Sequence, residues 1–284
     1  MNSQRVKPLF TRPVTVGIAF LCVVLVGASA AGQGTVREAL RARTADAKHI
    51  QERSYHFDAA GKDIPYALFV PSSYDGAKPF PLVVALHGLG SSADQMIRYR
   101  GLTELAEQHG YIVVAPEGYN SHGWYGSLGP GKNRFSERFE GNEPDPENLG
   151  ELSEKDVFNV LDIVKKEFKI DAHRTYLMGH SMGGGGTLYL GMKYKELWAG
   201  LAPIAPAIYS SPNQLSSIPK MPVVLVQGDA DRLVHVEVTR QWAAKMKELG
   251  MPCEYIEVPG GNHVNVAMDN LPAIFAFFDK HGGK

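Results

Sequence analysis

The 284-residue sequence predicts an α/β fold built on a mostly parallel central sheet. Three observations carry that expectation. Short, largely apolar runs at 82–86, 111–115, 174–178 and 222–227 read as strands buried on both faces. Helical patterns alternate with them over 102–109, 153–168, 237–249 and 271–280. Strand followed by helix, repeated along a chain, is the pattern of parallel crossover units with helices on both faces of the sheet.

Taken in order, residues 49–58 and 64–70 flank Gly61-Lys62-Asp63 and read as an antiparallel hairpin ahead of the parallel strands. The run 82–86 ends in His87-Gly88, and the helix 102–109 stops at Gly110. Over 153–168 the apolar positions are 157, 158, 160, 161, 163, 164 and 168, and Ser153 with Asp156 resembles a capping box. A weaker strand falls near 198–204, and a further one at 253–258. No internal repeat or linker divides residues 49–284, so they are expected to form one domain after a polar segment at 31–48.

Composition narrows the function. With 29 Lys+Arg against 30 Asp+Glu, the chain lacks the basic footprint of a general nucleic-acid binder. Its two cysteines make neither a disulfide scaffold nor a zinc pattern, and no metal is expected. Arg5, Lys7 and Arg12 precede the uncharged stretch 14–27 and then Ala28-Ser29-Ala30, the three parts of a cleavable export leader over 1–30. The expectation is a secreted or periplasmic protein with no stable membrane association after cleavage; an uncleaved anchor is the alternative. Cleavage would leave 26 basic against 30 acidic residues and Cys253 as the remaining thiol.

Residues 118–150 carry no periodic pattern, which is unusual inside a domain and points to a loop near an active site. Trp124 and Tyr125, between glycines, are candidate substrate contacts, since aromatic planes suit aromatic or sugar rings; anchoring the loop is the plainer role. The acidic run Glu143 to Glu147 lacks calcium-ligand spacing and reads as a solvated face.

Gly179-His180-Ser181-Met182-Gly183 matches G-x-S-x-G, after an apolar strand and before a glycine-rich helix start. Small neighbours let the chain fold back sharply, lifting the Ser181 hydroxyl clear of the sheet at a helix N-terminus. A hydroxyl needs a base to take its proton and an acid to orient that base, which follow in the order Ser, acid, His. His263, on the loop after strand 253–258, fits the base better than His235 or His281. Two carboxylates follow the strand before it, Asp229 and Asp231. The main-chain N–H groups of Met182 and Leu89 are the expected oxyanion donors, with His87 fixing the Leu89 loop. Gly88-Leu89-Gly90-Ser91-Ser92-Ala93 also fits a dinucleotide fingerprint, but Glu117 lies too far along to be its ribose acid, and no cofactor is expected.

With these motifs in order, the chain resembles the α/β-hydrolase superfamily from about residue 64 onward. More narrowly, Pro81-Leu82-Val83-Val84-Ala85-Leu86-His87-Gly88 and the run from Arg174 to Gly184 resemble secreted polyhydroxybutyrate depolymerases, feruloyl esterases and acetyl xylan esterases. The resemblance places the acid three residues after the strand-end Gly228, at Asp231, leaving Asp229 as a turn residue bonded to its own backbone. It implies a cofactor-free serine carboxylesterase acting through an acyl-enzyme on small-molecule or polymer-linked esters (feruloyl, acetyl or hydroxyalkanoate). A prolyl-oligopeptidase-like serine peptidase and a non-catalytic binding scaffold are the alternatives.

Overall fold

The computed structural model describes residues 50–139 and 144–282, all within the unit Arg41–Lys284. The leader read at 1–30 and the polar segment at 31–48 lie outside the described residues. Eight strands form one sheet: β1 (Ile50–Phe57), β2 (Lys62–Phe69), β3 (Phe80–Leu86), β4 (Ile112–Pro116), β5 (Ile170–His180), β6 (Gly200–Ile204), β7 (Val223–Gly228) and β8 (Cys253–Val258). Their spatial order is β1-β2-β4-β3-β5-β6-β7-β8. The β1–β2 hairpin is antiparallel, paired from Ile50 with Phe69 to Phe57 with Lys62, and β2 runs antiparallel to β4. From β4 across to β8 the pairings are parallel. This is the α/β-hydrolase arrangement, with the expected hairpin at its edge.

The continuous apolar runs follow from burial on both faces. Leu82, Val84 and Leu86 of β3 join one core cluster; Val83 and Ala85 join the other. Among the described residues there are eight α-helices: α1 (Ala93–Ile97), α2 (Leu102–His109), α3 (Ser136–Phe139), α4 (Leu149–Glu167), α5 (Met182–Lys193), α6 (Val236–Glu248), α7 (Asn265–Asp269) and α8 (Leu271–Lys280). α4, α5 and α6 bury Val157, Val160, Leu188, Trp242 and Met246 on the first face. α1, α2, α7 and α8 bury Met96, Ala106, Val266, Phe275 and Phe278 on the second. Among the described residues, no helix is long and apolar enough to cross a membrane.

Two local expectations need correction. α4 begins at Leu149, four residues before the expected start, and Ser153 is not its N-cap. The reason is that loop backbone does the capping: Gly131 O and Pro130 O accept the N–H groups of Gly150 and Glu151. Gly150 is required for that approach, because a Cβ there would sit 1.9 Å from Gly129 O. The aperiodic stretch 118–150, expected as a loop, is also not loop throughout its described residues. It holds a 3₁₀ turn at Trp124–Gly126 and the four-residue α3, both too short to show a period.

Candidate active site

β5 runs into α5 through Ser181, whose φ of 58° and ψ of −115° place it in a conformation that an L-residue adopts only under constraint. The constraint is local. Ser181 N–H donates to Ile204 O at 2.9 Å, and Ser181 O accepts from Gly185 and Ala207. The motif glycines are sterically required: a Cβ on Gly179 would lie 2.3 Å from Gly183 O, and one on Gly183 2.2 Å from Leu86 O. Gly184, Gly185 and Gly186 let α5 approach its neighbours closely: a Cβ on them would meet Ile204 O at the end of β6, Ala207 O on the loop after it, and the Tyr125 ring.

Asp231 and His263 come together at the same carboxyl edge of the sheet, on the loops after β7 and β8. His263 Nδ1 lies 2.7 Å from Asp231 Oδ2. The other carboxylate oxygen accepts the N–H groups of Leu233 and Val234, at 2.8 and 3.0 Å. Burial alone would raise the Asp231 pKa, but the Val234 N–H, His263 and the Leu233 N–H outweigh it and hold the carboxyl below its usual range. Asp229 is elsewhere. Its Oδ1 accepts the Gly260 N–H at 2.6 Å, so it ties the two loops together and does not bond its own turn. The Ser181 and His263 segments meet through His180 Nε2, which donates to His263 O at 2.8 Å.

On the other side of Ser181 runs the His87-Gly88-Leu89 loop. A Cβ on Gly88 would come within 3.4 Å of the Ser181 Cβ, so Leu89 follows a backbone that abuts the turn. Met182 opens α5. The His87 ring is buried, with Nδ1 2.9 Å from Gly88 O and Nε2 2.8 Å from Glu117 O. Burial pushes its pKa down, against the two carbonyls, and the contact with Glu117 O pins the loop to the end of β4. Glu117, the would-be ribose acid, spends its carboxylate on the Ala93 N–H of α1 at 2.8 Å.

Trp124 and Tyr125, candidate substrate contacts with loop anchoring as the plainer role, are both buried. Tyr125 donates its hydroxyl to His87 O at 3.2 Å and wedges between α4 and α5. Trp124 stacks on Phe135, with ring centroids 4.9 Å apart, and lies 5.5 Å from the ring of Tyr209. The loop is held from beneath by α4. Ser153 Oγ accepts the Tyr125 N–H, while Asp156 accepts from Gly118 N, Tyr119 N and the Tyr55 hydroxyl. Ser153 and Asp156, spaced i and i+3, therefore face the loop as anchors and not the helix start as a box.

Strain marks this edge. The five non-glycine residues with positive φ among the described residues are Tyr119, Trp124, Tyr125, Ser181 and Ala205, all on the segments following β4, β5 and β6. A cavity of about 150 Å³ opens there, lined by Leu128, Gly185, Tyr189, Ala207, Ile208 and Tyr209. Larger clefts of about 350 and 420 Å³ lie at the opposite edge, around Trp198 and Pro222. In open α/β sheets ligands bind outside the carboxyl ends of the strands, the edge at which the smaller cavity lies, although Ser181, Asp231 and His263 are not among its lining residues. Among the described residues, no group of three or more His, Cys, Asp and Glu side chains could hold a metal ion.

The protein-family model Esterase matches residues 58–275. The chain belongs to that esterase family. NocK of Nocardia uniformis subsp. tsuyamanensis, a protein named as an esterase, is 31% identical over 153 residues, covering 54% of this chain and 40% of its own length. Poly(3-hydroxyalkanoate) depolymerase C of Paucimonas lemoignei is 28% identical over 137 residues, covering 48% of this chain and 30% of its own. The matched segments thus span well under two thirds of these relatives. A solved ferulic acid esterase superposes with a TM-score of 0.64 at 15% identity, over 82% of this chain and 98% of that one, a likeness of fold.

The resemblance read from the motifs therefore holds at the level of fold and family. Reading the motifs missed His180 and Tyr209. His180 was legible only as the variable position of G-x-S-x-G, and Tyr209 lies in a segment that carried no motif.

Proposed function

We propose that this family member is an exported serine carboxylesterase. The observation that carries the reading is the 2.7 Å contact between His263 Nδ1 and Asp231 Oδ2 beside the strained turn at Ser181. Ser181 Oγ attacks the ester carbonyl while His263 Nε2 takes its proton. Asp231 fixes the imidazole tautomer and stabilises the imidazolium. The Leu89 and Met182 N–H groups hold the oxyanion; Ser181 N–H is already committed to Ile204 O. His263 then protonates the departing alcohol, and water, activated by the same imidazole, releases the acid from the acyl-enzyme.

The substrate class we propose is an apolar or polymer-linked ester. Tyr209, Leu233 and Val264, exposed by 56%, 75% and 58%, are the large apolar side chains most open to solvent among the described residues. They sit on the loops after β6, β7 and β8, around the mouth of the site. Tyr209, whose ring lies 5.5 Å from that of Trp124, is the aromatic side chain we propose as the substrate contact.

The test is hydrolysis of p-nitrophenyl, feruloyl, acetyl and short hydroxyalkanoate esters by the wild type and Ser181→Ala. Ester cleavage lost in Ser181→Ala with folding intact supports the reading. Retained cleavage refutes it, and peptide cleavage rivalling ester cleavage would replace it with a peptidase.

A further inference from the structure

His180 precedes Ser181 and is buried at the junction of three segments. Its Nε2 lies 2.8 Å from the main-chain oxygen of His263, and its Nδ1 lies 2.8 Å from the hydroxyl of Tyr99, between α1 and α2. A neutral imidazole has one N–H. Because a carbonyl oxygen only accepts, that hydrogen must sit on Nε2, which leaves Nδ1 as an acceptor and obliges the Tyr99 hydroxyl to donate. Burial, followed by the neighbouring His263, pushes the His180 pKa down to about 4, and burial pushes the Tyr99 phenol up. Both groups therefore keep these roles at neutral pH. The chain of bonds has one direction, from Tyr99 O–H to His180 Nδ1 and from His180 Nε2–H to His263 O.

His263 is thus held twice, its ring by Asp231 and its backbone by His180, while the two imidazoles lie 4.8 Å apart, centroid to centroid. We propose that His180 is a positioning residue that clamps the main chain carrying His263 within reach of Ser181, with Tyr99 fixing its tautomer. This rests on the triad reading above. The clamp acts on the distance between nucleophile and base, a quantity on which turnover depends steeply: a displacement of about 1 Å can cost on the order of a hundredfold in rate.

The test compares His180→Leu, His180→Gln and Tyr99→Phe with the wild type and with Ser181→Ala and His263→Ala. It reads kcat and KM on a p-nitrophenyl ester and the downfield proton resonance of the His263–Asp231 hydrogen bond. His180→Leu should lower kcat about tenfold to a hundredfold, leave KM within about twofold, and shift or broaden that resonance. His180→Gln can donate to His263 O and accept from Tyr99, and should restore kcat and resonance to near wild-type values. Tyr99→Phe should lower kcat about threefold to tenfold, which keeps the test open if His180→Leu does not fold. Wild-type kcat and resonance in folded His180→Leu, or in Tyr99→Phe, overturn the proposal, as does equal impairment by Gln and Leu. Full activity in Ser181→Ala or His263→Ala would refute the triad reading itself, a separate outcome.

Discussion

Ser153 Oγ accepts the main-chain N–H of Tyr125 at 2.9 Å, so a hydroxyl inside α4 holds the turn that carries Trp124 and Tyr125. A Cβ on Gly123 would fall 2.5 Å from the same side chain, which shows how closely loop and helix approach. Ser153→Ala leaves a buried N–H without its acceptor. It should lower the unfolding free energy by about 1–3 kcal/mol in urea titration, with faster proteolysis within 118–150. A loss below about 0.5 kcal/mol, with unchanged proteolysis, would show that the bond is not an anchor.

Asp156 gives the same loop a dependence on pH. Burial raises its pKa to about 6, against the three donors that favour the carboxylate. A carboxyl group with a higher pKa folded than unfolded binds more protons in the native state between those two values, so its contribution to stability falls as pH rises from about 4 to about 6. The wild type should therefore gain stability relative to Asp156→Asn as pH drops across that window. The difference between their unfolding free energies at pH 4.5 and 7 measures it. A difference independent of pH would contradict the assignment.

The elbow glycines predict a large penalty with a simple cause. Gly183→Ala forces a Cβ to 2.2 Å from Leu86 O, a main-chain atom at the carboxyl end of the inner strand β3 that has little room to yield. Overpacking of this kind should destabilise by about 3 kcal/mol, read as a lowered melting temperature or loss of soluble protein. A substitution within about 1 kcal/mol of wild type would mean that the turn is looser than described.

The strands and the elbow were legible because their causes are local in sequence. β3 reads as apolar throughout since both its faces are covered, and Gly179, Ser181 and Gly183 are dictated by the turn they form. The start of α4 was not legible, because Pro130 and Gly131, about twenty residues upstream, supply its cap through backbone atoms. The same holds for Trp124 and Tyr125. Their composition left substrate contact and loop anchoring both open, and the partners that bury them, Phe135, Ser153 and Gly186, lie outside their own segment of sequence. Asp231 needed the family pattern to be preferred over Asp229; the structure separates them by the partners of their carboxylates, His263 and Gly260.

That separation can be measured. Asp231→Asn keeps an acceptor for the Leu233 and Val234 N–H groups but presents an amide where His263 Nδ1–H needs an oxygen. It should fold normally and lose about 10³–10⁴-fold in kcat through the wrong imidazole tautomer. Asp229→Asn should stay within about tenfold of wild type. Reversal of that order in steady-state ester hydrolysis would move the acid to Asp229.

Covalent labelling tests Ser181 as the activated nucleophile without a choice of substrate. The protein is treated with a fluorophosphonate, digested, and the adduct located by peptide mass spectrometry, with His263→Ala and Ser181→Ala in parallel. A single adduct is expected on Ser181, formed much more slowly in His263→Ala and absent from Ser181→Ala. An adduct on another residue, or none on the folded wild type, would contradict it.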